Sequence, residues 1–280
     1  MRRPRWLTVV AVHAGLVLVT VTALVPILWV LKMALSPSDG LATGLPVPTE
    51  VTLDNFVAVV DTHDDRGWLF GRQLLNSLVV SVATAAVGLV LSTTAAYALS
   101  RWKFPGRDAG MDAFLVTQMF PGVVMLVPLY ILLDTVGLLD SMVGLVLVYS
   151  TTAVPFSVWT LKGYFDTIPI ELEEAAMLDG AGRVRTFFSI ILPLSRPAMA
   201  VTALFSFMTA WNEFIVAATV LGDPHSFTLP VVLQSYVDDY GADWGSFAAG
   251  AILVSIPVVL LFFALQRHFV EGLTAGSVKG

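Results

Sequence analysis

The sequence predicts an all-α, polytopic membrane protein: six transmembrane helices, both termini cytoplasmic, and a short cytoplasmic helix between spans four and five. Three observations carry this. Of the 280 residues, 56% are hydrophobic and only 13% charged, against about 25% charged in a soluble domain. The charges cluster and leave long uncharged runs, and about 20 apolar residues suffice for a helix to cross the hydrocarbon core. The basic residues gather in alternate connections, the pattern that marks the cytoplasmic side. Helix is the only spanning structure that suits apolar runs without strict alternation.

The first run, Trp6–Leu31, follows Arg2, Arg3 and Arg5 and holds 26 residues. The apolar core of a cleaved signal peptide has about 7–15, so a permanent signal-anchor is expected. Met33–Arg72 is polar, with Pro46, Pro48 and several acids, and reads as an external loop. The second run, Gln73–Ser100, contains Asn76, Ser77, Ser81, Thr84, Ser92, Thr93 and Thr94, and is followed by Arg101, Lys103 and Arg107. The third is Ala113–Leu133, with Gln118, and the fourth Ser141–Leu161, with Thr151, Thr152 and Ser157. Serine and threonine in such spans most often serve helix packing. Pro121, Pro128, Pro155 and Pro257 interrupt spans and permit bending. The domain reading is 1–72 for the first span and external loop and 73–280 for the permeation core, with a charged loop at 165–197 and a tail at 267–280.

In the charged loop, Thr167 can cap a helix, Pro169 suits its first turn, and Glu171, Glu173 and Glu174 favour its positive end. Gly180 and Gly182 stop it, so a short helix over Pro169–Leu178 is expected. Ile168, Leu172, Ala175 and Ala176 share one stripe. A second helical piece is expected over Arg183–Leu192, with Pro193 and Pro197 turning the chain into span five. Chemistry alone leaves two readings open: an amphipathic helix resting on the membrane surface, or a docking knob for a cytoplasmic partner.

The fifth run, Ala198–Gly222, carries one charge, Glu213. An ionisable group inside a span is functional by default. Trp211, Asn212 and Glu213 together offer a stacking face and hydroxyl partners for a translocated solute; a structural hydrogen bond to a neighbouring helix is the alternative. An acidic, aromatic connection, Asp223–Asp243, leads to the sixth run, Trp244–Gln266, and a tail with Arg267 and Lys279. Twelve of the fifteen basic residues then fall on the cytoplasmic side.

Some chemistry is excluded. Cysteine is absent, so disulfides and thiolate metal sites cannot form. His13, His63, His225 and His268 have no metal-ligand spacing. No phosphate loop of the Gly-x-x-x-x-Gly-Lys-Ser/Thr type occurs, so ATP is not bound through that motif.

The loop resembles the cytoplasmic signature of ABC importer permeases, Glu-Ala-Ala, three residues, Gly, nine residues, Ile-x-Leu-Pro. Glu174, Ala175, Ala176, Gly180, Ile190, Leu192 and Pro193 fit it at fixed spacing, with Asp179 inside it. From about Phe56 onward the chain is similar to the binding-protein-dependent carbohydrate branch, and within it to the second permease subunit of maltose- and trehalose-type importers. "TAWNEFIVA", "TLPVVLQSY" and "GLTAGSVKG" carry that likeness. The resemblance implies a coupling helix that docks on a separate ATPase dimer, which holds ATP and magnesium; this chain would bind no cofactor and catalyse nothing itself. It implies a second permease subunit, an extracytoplasmic sugar-binding protein and the bilayer of the cytoplasmic (inner) membrane as partners, with no nucleic acid. It also implies that Gln234, Tyr236, Asp239 and Tyr240 contact the binding protein, against a plain turn packing on the bundle. Thr274, Gly276 and Lys279 would reach the ATPase, against a disordered end. The cargo implied is a disaccharide or oligosaccharide such as maltose or trehalose. Glycerol phosphate or a polyamine on the same fold stays open, as does an ion-coupled carrier acting alone, for which Glu213 is the one clear candidate.

Overall fold

The computed structural model describes residues 5–37, 50–238 and 241–275; for Arg5, Asp238 and residues 267–275 only the backbone is described. The chain divides into two compact units, residues 1–70 with 232–256, and 71–231 with 257–280.

In the first unit, α1 (Arg5–Leu35) has none of its apolar window buried. Within this unit its C-terminal end packs: Lys32, Ala34 and the following Ser36 are buried beside α2 (Asp54–Val60). The final carbonyls of a helix lack intrahelical donors. Asn55 supplies one, donating from Nδ2 to Ala34 O at 3.0 Å and Ser36 O at 2.9 Å. A two-residue hairpin follows, β1 (His63–Asp64) with β2 (Gly67–Trp68).

The second unit is a helical bundle. Its elements are α3 (Leu69–Arg101), α4 (Arg107–Met119), α5 (Leu126–Thr135), α6 (Met142–Phe165) and α7 (Glu171–Leu178). Next come α8 (Arg183–Thr186), a π-helical turn (Phe187–Ile191), α9 (Leu192–Leu194), α10 (Arg196–Trp211) and α11 (Ile215–Val220). The last helices, α12 (Leu229–Ser235) and α13 (Trp244–Ala275), begin or end outside this unit. A hairpin of β3 (Val237–Asp238) and β4 (Gly241–Ala242) lies between them in the chain.

Two apolar clusters hold the bundle. One gathers Tyr97, Leu99, Met111, Leu161, Phe165 and Ile191; the other gathers Val80, Leu133, Leu145, Tyr149, Ala210 and Leu221. In between, helices meet through small side chains: Ser157 Oγ lies 3.4 Å from Ser206 Oγ, and a Cβ placed on Gly88 would lie 3.3 Å from the same Ser206 oxygen. Small residues permit such close approach where lipid offers no hydrophobic drive between helices.

Among the described residues, four helices are long and apolar enough to cross a membrane: Trp6–Leu35, Leu69–Arg101, Met142–Phe165 and Trp244–Gln266. Two bent pairs raise this to as many as six: Arg107–Met119 with Gly122–Thr135, at 94°, and Arg183–Leu194 with Arg196–Trp211, at 79°. The expected third span is therefore broken, at Phe120-Pro121, where Phe120 is extended as a residue before proline prefers. The other prolines do not interrupt helices: α6 runs through Pro155 and α13 through Pro257, while Pro128 sits in the first turn of α5. The expected fifth span stops at Trp211 and resumes at Ile215.

Candidate functional site

The helix α7 lies between α6 and α8 and begins two residues later than the sequence suggests. Thr167 is not its cap. Its hydroxyl donates back to Tyr164 O at 2.7 Å, closing the end of α6 instead. The helix is stopped by Gly180, at φ +85°. Gly180 N–H donates to Met177 O at 3.1 Å and Ala181 N–H to Ala176 O at 2.9 Å, the paired bonds of a Schellman turn. A side chain at that φ costs roughly 1–2 kcal/mol, which glycine avoids.

The expected stripe divides: Ile168 and Ala176 are buried, Leu172 and Ala175 exposed. Glu173 points inward with Ala176, at 4% and 8% exposure. Glu173 is held by α3. Its Oε2 accepts from Tyr97 Oη at 2.6 Å, and its Oε1 pairs with the Arg101 guanidinium, which also donates to Ile168 O at 3.0 Å. Tyr97 sits among rings: Phe187 at 4.7 Å, Trp102 edge-on at 5.2 Å and Phe165 edge-on at 6.2 Å. Asp166 accepts from Ser100 Oγ at 2.6 Å and Lys162 Nζ at 2.7 Å. Burial raises the Asp166 carboxyl, but these two donors and the nearby Arg101 charge outweigh it and hold it below its usual value.

The remaining motif positions divide by exposure. Glu174, Ala175, Asp179, Gly180 and Pro193 are exposed; Ile190 and Leu192 are half-buried, and their neighbour Ile191 is fully buried. Beside them Leu178, Val184 and Phe188 are 90%, 72% and 62% exposed. An apolar patch with an acidic residue at its edge thus stands at the α7–α8 corner. Glu173 and Arg101 were missed because their pairing spans 72 positions and no local spacing announces it.

In the expected translocation cluster, Trp211 is 1% exposed and stacks on Phe207 at 5.3 Å, so it offers no free ring face. Asn212 is exposed. Glu213 accepts from Val216 N–H at 2.9 Å, Ala217 N–H at 3.2 Å and Tyr149 Oη at 2.7 Å. It caps the start of α11 and ties it to α6, the structural hydrogen bond to a neighbouring helix that the sequence left as the alternative.

At the end of α3 remote from α7, three polar residues hold the segment 224–229 by its backbone. Gln73 Nε2 donates to Pro224 O at 3.1 Å, and Asn76 Nδ2 to His225 O at 2.7 Å and Phe227 O at 3.1 Å. Ser77 Oγ accepts from Leu229 N–H at 2.7 Å. Further along, Gln234 is exposed and donates to Val237 O at 3.2 Å. Tyr236 is half-buried; burial raises its hydroxyl, Asp243 adds to this, and a bond with Thr62 opposes it. Asp239, Tyr240, Gly276 and Lys279 lie outside the described residues, as does the side chain of Thr274.

Residues 88–274 match the family model described as "Binding-protein-dependent transport system inner membrane component". The galactooligosaccharides transport system permease protein GanQ of Bacillus subtilis (strain 168) is 37% identical over all of this chain and 99% of its own. The trehalose transport system permease protein SugB of Mycobacterium tuberculosis (strain CDC 1551 / Oshkosh) is 36% identical over 92% of this chain and 93% of its own. The maltose/maltodextrin permease protein MalG of Salmonella typhimurium (strain LT2) is 38% identical over 96% of this chain and 95% of its own. Among solved structures, a bacterial ABC transporter involved in the import of alginate has a chain that superposes with a TM-score of 0.80. The match covers 96% of this chain and 99% of that one at 22% identity, a likeness of fold.

Proposed function

Since the chain belongs to the family of binding-protein-dependent transport system inner membrane components, we propose that it is the permease subunit through which an ATP-driven importer moves a disaccharide or oligosaccharide across the cytoplasmic membrane. It is a sugar ABC importer permease subunit, as its relatives are by name. In the finer reading, α7 is the coupling helix. It docks on a separate ATPase dimer, which binds ATP and magnesium, and a second permease completes the path. An extracytoplasmic sugar-binding protein delivers the cargo on the other face. Both termini and the α7–α8 corner are cytoplasmic, following the basic residues.

The observation that carries the docking role is the exposed corner itself: Glu174 and Ala175 outward on a helix stopped by Gly180, next to bare Leu178, Val184 and Phe188. An apolar patch of this kind beside a charged rim fits a protein partner better than water. The ion-carrier reading finds no support at Glu213, whose carboxylate is engaged three times as a helix cap and cross-link. Relatives named for galactooligosaccharides, trehalose and maltodextrins favour a glucosidic or galactosidic cargo over glycerol phosphate or a polyamine.

The test is purification from native membranes followed by ATPase assays with candidate disaccharides. Co-purification of an ATPase and a second permease, with hydrolysis raised by sugar and binding protein, is expected. Leu178→Asp should abolish ATPase co-purification while the chain still inserts. Retention of the ATPase by that variant would remove the docking role.

A further inference from the structure

We propose that α3 is a strut linking the two faces this protein presents to its partners, with Asn76 and Arg101 as its positioning residues. The inference rests on the importer reading above. It goes beyond that reading in assigning transmission to a helix that carries none of the motif.

Both ends of α3 are fastened by buried polar groups, and the loops are held chiefly by main chain. At one end Gln73, Asn76 and Ser77, all under 10% exposed, bind backbone atoms of Pro224, His225, Phe227 and Leu229. At the other, Arg101 binds Ile168 O and, with Tyr97, the carboxylate of Glu173 on α7. A loop held by its backbone must follow the helix that holds it, whatever side chains it displays. Asn76 and Arg101 lie 25 positions apart in the sequence. On an ideal helix that is roughly 37 Å along the axis and about 20° around it, so the two fastenings lie on nearly the same face.

Between the fastenings α3 is held by apolar and small-group packing, with Val80 and Ala96 in the two buried clusters. The hydroxyls of Ser81, Thr84 and Ser92 are buried without a hydrogen-bond partner, and Gly88 faces Ser206 across a close contact of small groups. Among the described residues, the side chains of this middle section donate only to their own helix. The 33 residues of α3 include no proline, whereas α1, α6 and α13 contain Pro26, Pro155 and Pro257. Helix kinks arise mostly at proline. A continuous helix without proline, fastened by hydrogen bonds at its ends and packed only through apolar and small groups between them, passes a displacement of α7 to the segment 224–229, and the reverse.

The experiment uses the complete transporter in proteoliposomes: this chain, its partner permease, the ATPase and the binding protein. It reads the ratio of binding-protein-stimulated to basal ATP hydrolysis, and ATP used per sugar imported. Asn76→Ala loosens one end, Tyr97→Phe the other by a single hydroxyl, and the double variant both. Each single change is expected to lower the stimulation ratio at least about fivefold in fully assembled complexes. The double variant should be no worse than the poorer single, because two breaks in one rod act in series. Independent structural sites this far apart give additive effects instead. Multiplying effects in the double variant, or unchanged ratios in both singles, overturn the strut. Absence of sugar-dependent hydrolysis in the unsubstituted complex overturns the importer reading itself, a separate outcome.

Discussion

At the residue scale, the Arg101–Glu173 pair shows how a buried charge is made tolerable. Both side chains are under 10% exposed, and each has a further polar partner, Ile168 O for the guanidinium and Tyr97 for the carboxylate. Removing one member of such a pair strands the other. Glu173→Leu is expected to lower stability by about 3–5 kcal/mol, and the double change Arg101→Met with Glu173→Leu to recover most of it. Thermal unfolding of purified protein checks both. Asp166 adds a dependence on acid. Its folded carboxyl sits below the unfolded value of 3.8, so its contribution is present above that pH and is lost as the pH falls through the folded value. The melting temperatures of the native chain and of Asp166→Asn should differ at neutral pH and converge in strong acid. A persistent difference there would show that the carboxylate charge is not what stabilises the contacts of Asp166 with Ser100 and Lys162.

At the element scale, helix packing makes glycine positions unequal. A Cβ on Gly144 of α6 would sit 2.5 Å from Leu138 O, a backbone atom, so the chain itself must move. A Cβ on Gly88 meets only the Ser206 side chain, at 3.3 Å, and that side chain can rotate. Gly144→Ala is expected to cost about 1–3 kcal/mol. Gly88→Ala should be near neutral, its contact offset by alanine's better helix propensity of about 1 kcal/mol. The melting temperatures of the two variants test the contrast. Much at this scale was legible beforehand. The uncharged runs located the long helices, and Gly180 ended α7 where its sequence says it must. What was not legible depends on distant partners. The inward turn of Glu173 and the capping role of Glu213 are set by Arg101, Tyr97 and Tyr149, and no local period encodes those. Nor does apolar content distinguish the π-helical turn at Phe187–Ile191 from ordinary helix.

At the scale of the whole molecule, the absence of cysteine makes orientation directly measurable, since any introduced thiol is the sole one. If both termini are cytoplasmic, as proposed, a membrane-impermeant maleimide added outside intact cells should label His63→Cys but not Lys103→Cys or Glu171→Cys, all of them exposed positions. Labelling of all three from outside would reject the six-span arrangement. The basic residues predicted that arrangement from charge alone. The fold likeness at a TM-score of 0.80 accommodates it without depending on any one loop.

The bare flank of α1 bears on how the lipid itself acts on this protein. An uncharged run of 26 residues is roughly 39 Å of helix, longer than the ~30 Å hydrocarbon layer it must match. Packed helices have their tilt set by neighbours, whereas an unpacked one relieves hydrophobic mismatch by tilting. With none of its apolar window buried within its own chain, α1 would take up that mismatch wherever no partner subunit covers it. Bilayer thickness would then act first on α1, ahead of the fastened helices of the bundle.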